Sequence, residues 1–112
     1  MGKAADVRPM PTIISLGGKN YKLVFSFNSF CALEEQFGSV DGAMEGLASG
    51  SLAAYRALLW AGLLDAHGNE FPTPRDVGAL MTVSDAGTYA EAIANALESA
   101  LPAGGKEESE KN

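Results

Sequence analysis

Cysteine is almost missing from this chain: Cys31 stands alone among 112 residues. A single thiol closes no internal disulfide and builds no cysteine zinc site. Histidine is equally scarce, with His67 the sole example. Cations are sparse through the body, where residues 26–101 set ten acidic side chains against Arg56 and Arg75. Such a body releases few counterions from a phosphate backbone and is repelled by an anionic membrane, which argues against nucleic-acid and membrane partners. No stretch reaches the ~18 consecutive apolar residues of a bilayer span. Residues 1–11 carry charges but no apolar h-region, so a secretory signal is not expected and the chain is expected to stay in the cytoplasm.

What is present suits one small folded domain. Apolar types supply 46% of the residues and charged types 20%, a composition that can build a core. The net charge is −6, with residues 1–25 basic and the rest acidic. Many of the apolar residues are alanine, which buries little area per side chain. At ~25 cal/mol per Å² such a core leaves a small surplus over chain entropy, so part of its stability is expected from a partner or from self-association.

Thr12 to Leu16 (TIISL) and Tyr21 to Phe25 (YKLVF) are rich in β-branched and aromatic residues around Gly17-Gly18-Lys19-Asn20. That pattern predicts a β-hairpin whose face of Ile14, Leu16, Tyr21, Leu23 and Phe25 lies on helices. Ser26 can cap a helix carrying Phe30, Leu33 and Phe37, with Gly38 as its stop. Ser39 opens a segment with Val40, Met44 and Leu47, weakened by Gly42 and Gly46. Leu52 to His67, closed by Gly68, carries the strongest helical pattern. Thr73-Pro74-Arg75-Asp76 starts another helix, expected to hold Val77, Leu80 and Met81. Ser84-Asp85 starts the last, with Ala86, Tyr89, Ala90, Ile93, Leu97 and Ala100 on one face and Glu91, Asn95 and Glu98 opposite. The expected fold is α+β and mostly helical: an N-terminal β-hairpin packed on a bundle of four to five short helices over residues 12–101. Residues 1–11 read as a flexible arm and 102–112 as a disordered acidic tail.

Chemistry finds little purchase. Gly18-Lys19 and Gly105-Lys106 lack the upstream glycine and the following Ser or Thr of a phosphate-binding loop, and no dinucleotide fingerprint occurs. Asp65, His67, Asn69 and Glu70 could hold a cation only with a spacing unlike EF-hand or zinc motifs, and a capped helix end explains them more simply. Cys31 lies between Phe30 and Ala32 and reads as an inert core cysteine. Glu34 and Glu35 point about 100° apart around a helix, and Asp41 and Glu45 read as solvated. No enzyme, metal or cofactor is expected. A small metal- or ligand-dependent enzyme centred on His67 is the reading from a different class.

The helix from Leu52 to His67 is apolar around more of its circumference than one packing face needs. Leu52, Tyr55, Leu59, Gly62, Leu63 and Ala66 share one arc, while Arg56, Trp60 and Leu64 form a separate ridge. Either this helix is sandwiched inside the domain, or the ridge binds a partner with Trp60 as its anchor.

The order of these pieces carries a resemblance. A strand leads into Leu16-Gly17-Gly18-Lys19-Asn20-Tyr21-Lys22-Leu23; a helix with Ala32-Leu33-Glu34-Glu35 ends at Gly38. A second helix carries Arg56-Ala57-Leu58-Leu59-Trp60-Ala61-Gly62-Leu63, and Val77-Gly78-Ala79-Leu80 precedes an alanine-rich last helix. The stretch resembles the tail assembly chaperones of long-tailed phages, in the branch of gene transfer agents and prophages that is sometimes labelled tail tube protein. The resemblance covers residues 12–101. It implies a non-enzymatic protein that acts in the bacterial host cytoplasm, binds the tape measure protein, helps recruit tail tube subunits and is absent from the mature particle. It also implies a longer frameshifted product, for which Gly105-Lys106 is a compatible site. A minor tail component retained in the particle is the alternative, and self-association is compatible with both.

Overall fold

The computed structural model describes residues 12–100; the expected arm at 1–11 and tail at 102–112 lie outside them. The architecture is α+β and mostly helical, a two-stranded antiparallel hairpin packed with five helices. β1 (Thr12–Leu16) pairs with β2 (Lys19–Leu23) in a register running from Thr12 opposite Leu23 to Leu16 opposite Lys19. The turn is therefore two residues, shorter than the four-residue connection expected from sequence. Gly17 and Gly18 have φ of 59° and 85°, and two consecutive positive φ values match the twist of the strands they join. The ladder accordingly takes in Lys19 and Asn20. It ends at Leu23, because the Val24 amide turns away to donate to the Gly62 carbonyl at 2.9 Å. The expected inner face is buried in full, from Ile14 to Phe25, while Ile13, Ser15, Asn20 and Lys22 face out.

α1 (Phe27–Phe37) begins at Ser26, whose hydroxyl accepts from the Ser29 amide at 3.2 Å. Ser29 returns the favour, its hydroxyl accepting from the Ser26 amide at 2.9 Å. This reciprocal cap explains how Ser29, a polar side chain, is fully buried in the core. Gly38 closes the helix in the left-handed region. α2 (Val40–Ser49), capped by Ser39, survives its two glycines for a packing reason. A Cβ on Gly46 would lie 2.5 Å from the Ala54 Cβ, so the missing side chain lets α2 approach the following helix.

That helix, α3 (Leu52–His67), has the bounds expected from sequence and runs through the centre of the domain. It packs against β2, α1, α2 and the two helices that follow it, and buries residues on every side from Ala54 to Leu63. Gly68 is not a left-handed stop; its φ is −57°. Its lack of a side chain instead makes room for the Leu64 carbonyl, which a Cβ would meet at 2.5 Å.

α4 (Pro74–Gly78) is shorter than expected. Asp76 accepts from both the amide and the hydroxyl of Thr73, each at 2.9 Å, and fixes its start. Leu80 and Met81 lie beyond it: their amides donate three residues back, to Val77 and Gly78, tightening the chain into a turn. A 3₁₀ turn (Val83–Asp85) then feeds α5 (Ala86–Ala100). Thr82 anchors this entry: its hydroxyl donates to Asp85 at 2.8 Å and its amide to the Tyr89 hydroxyl at 2.9 Å. Along α5, Tyr89, Ile93 and Leu97 are buried and Glu91, Asn95 and Glu98 exposed, as the stripe predicts.

Gly87 shows the opposite case to Gly46, since no atom lies within 4 Å of a Cβ built there. Gly87→Ala is expected to raise stability by about 0.5–1 kcal/mol through the lost flexibility of the unfolded chain, read as a higher urea midpoint at unchanged slope. Among the described residues no helix is long and apolar enough to cross a membrane.

Candidate functional site

The ridge expected on α3 is not a free surface. Arg56, Trp60 and Leu64 are each half-buried, and Trp60 and Leu64 pack against the core. The Trp60 indole N–H donates to the Phe71 carbonyl at 3.1 Å. Phe71 is itself buried and meets Tyr21 edge-on at 5.2 Å, so this bond ties α3 to the loop before α4 and to the hairpin. Trp60→Phe keeps an aromatic ring but strands that carbonyl. The expected cost is about 1 kcal/mol, measured by chemical denaturation. On the other arc Tyr55, Leu59, Gly62 and Leu63 are buried, whereas Leu52 and Ala66 are exposed.

His67 takes part in the fold rather than in a cluster. Its Nε2 accepts the Lys22 amide at 3.1 Å, and its ring stands perpendicular to Tyr21 at 5.0 Å. It thereby pins the end of α3 to β2. Asp65, His67 and Glu70 do not gather: among the described residues no three His, Cys, Asp or Glu side chains come together as a ligand set. Glu34, Glu35, Asp41 and Glu45 are all exposed, and Cys31 is half-buried in α1.

The feature that stands apart is a groove of about 530 Å³ between the first turns of α3 and the segment running from α4 into α5. Leu52 and Arg56 line it from α3; Met81, Val83 and Ala86 line it from the other side, with buried Tyr89 beneath. Leu52 is 53% and Val83 75% exposed, so two of the larger apolar side chains left in solvent share one concavity. Arg75 from α4 lines the same groove. Both cations of residues 26–101 therefore meet at one place on an otherwise acidic body.

Arg56 is held there by a missing side chain. A Cβ on Gly78 would lie 2.7 Å from the Arg56 Cδ, so the glycine gives the arginine stem its berth. The Arg56 Nε is buried without a hydrogen-bond partner. A buried donor left unpaired costs free energy. Sequence reasoning reached Arg56 but missed Arg75, Leu52 and Val83 as its companions. The available signal was the charge count, which singles out both arginines without placing them together. Comparison with family models, with curated proteins and with solved structures finds no match for this chain.

Proposed function

We propose that the chain is a non-enzymatic phage or prophage tail assembly chaperone that covers an apolar stripe of the tape measure protein and helps bring tail tube subunits to it. The observation that carries this reading is the groove beside α3, where Leu52 and Val83 remain in solvent although the domain has a closed core of its own. Apolar side chains grouped in a concavity are typical of docking surfaces rather than of inert exterior. A long amphipathic helix exposes its apolar stripe until a tube surrounds it, and a helix-in-groove partner covers such a stripe reversibly. The sequence resemblance over residues 12–101 supplies the identity of that helix; the groove supplies a physical means of holding it.

Co-expression tests the reading. The tape measure protein of the same phage or prophage should shift from the pellet to the soluble fraction when the chain is present, and an unchanged distribution would remove the proposal. Mass spectrometry of purified particles should find the chain missing. Its presence in many copies would instead assign it to the tail itself.

A further inference from the structure

The groove carries more than apolar character, and its charge narrows what fits. Every ionisable side chain of residues 26–100 other than His67, Cys31 and the tyrosines is acidic, except the two arginines that line this concavity. Two cations scattered at random over the body have no reason to share the concavity that also holds exposed Leu52 and Val83. One of them is set into place by Gly78, with its Nε buried and unpaired among the described residues. Guanidinium groups of this kind pair with carboxylates, and pairing is strongest where apolar neighbours exclude water.

We propose that the groove between α3 and the α4–α5 segment binds an apolar segment of another chain that carries a carboxylate side chain beside its apolar residues. The carboxylate seats between Arg56 and Arg75, and the apolar side chains lie between Leu52 and Val83. The inference rests on the chaperone reading for the identity of the partner, and adds to it where that partner docks and which charge it bears. A purely apolar stripe would bring no acceptor to either guanidinium. A basic stripe would face two like charges, which makes the arginines a selection device as well as an anchor.

The test uses the full chain, isotope-labelled and followed by NMR. It is titrated with a helical peptide of leucine, alanine and glutamate, and separately with the same peptide bearing lysine for every glutamate. The glutamate peptide should shift the signals of Leu52, Arg56, Val83 and Ala86, and bind at least about tenfold more tightly than the lysine peptide. The variant Arg75→Glu with Val83→Asp changes two exposed side chains, so its circular dichroism and melting should match those of the parent. It should lose at least about tenfold in affinity for the glutamate peptide. Equal binding of the two peptides, shifts placed elsewhere, or no shifts would overturn the proposal. So would concentration-dependent shifts of the same residues without peptide, which would assign the groove to a second copy of the chain.

Co-expression separates this inference from the function. If the parent chain solubilises the tape measure protein and the double variant does so equally well, the groove is wrong and the chaperone reading stands. If the glutamate peptide fills the groove but the tape measure protein stays insoluble, the reverse holds.

Discussion

Leu58→Ala is expected to be among the most damaging single truncations in this domain, costing about 2–5 kcal/mol. Leu58 is fully buried on α3, the helix that touches β2 and every other helix, so the hole opens at the common centre of the fold. One turn further on, Gly62 presses against Leu23 and Phe25, which leaves little slack for the surroundings to collapse into the space. A domain of this size has a total stability of roughly 5–15 kcal/mol, so the loss takes a large share of it. Urea denaturation should show a midpoint far below that of the parent. If the alanine variant instead melts within experimental error of the parent, α3 is not the centre of the core.

Gly62→Ala is the second large effect, and it runs against local preference. Alanine is better than glycine in a helix by about 1 kcal/mol, so on propensity alone the change would stabilise. The structure reverses the sign. The new methyl would sit 2.5 Å from Leu23 Cδ1, 3.1 Å from Leu23 Cγ and 3.2 Å from Phe25 Cζ. The same residue also anchors the hairpin, because its carbonyl accepts the Val24 amide at 2.9 Å. Relieving the overlap pushes β2 off α3 or strains both rotamers, and overpacking of this type costs about 1–3 kcal/mol, set against the helix gain of about 1 kcal/mol. The pair Gly62→Ala and Gly87→Ala makes a strong contrast: the same chemical change, both within helices, should lower stability at the first and raise it at the second. Equal responses would mean that the close contact of Gly62 with the hairpin is absent in solution.

Much of the fold was legible because it is decided locally. Ser26 and Ser39 announce their helices through hydroxyls that accept amides three residues on. Thr73-Pro74-Arg75-Asp76 does so through a carboxylate that reaches back to the Thr73 amide and hydroxyl. The alternation from Ile14 to Leu23 fixes which hairpin face is buried. The length of the turn was not legible in the same way. Gly17-Gly18-Lys19-Asn20 can be split in more than one manner, and the two-residue solution depends on both glycines taking positive φ. The end of α4 was also hidden: Leu80 and Met81 keep helical spacing from Val77, yet three-residue-back hydrogen bonds turn the chain there toward Thr82 and Tyr89.

The outward side of α3 was the least legible feature, for a physical reason. Periodicity says which side of a helix is buried only when another side is polar. α3 is apolar nearly all round because neighbours enclose it, so the spacing of Arg56, Trp60 and Leu64 could not say which side faces out. Trp60 spends its indole N–H on Phe71 and holds the domain together. Arg56 alone of the three lines the groove, beside partners contributed by residues 75–89 that only tertiary packing brings near.

The proposed function makes one central claim, that the apolar side chains of the groove shield a segment of another chain. Light scattering tests it without intermediaries. A purified tape measure segment, diluted from denaturant into buffer, should aggregate by itself and stay clear when an equimolar amount of the chain is present, with the Arg75→Glu, Val83→Asp variant giving far weaker protection. Identical turbidity with and without the chain would contradict the account.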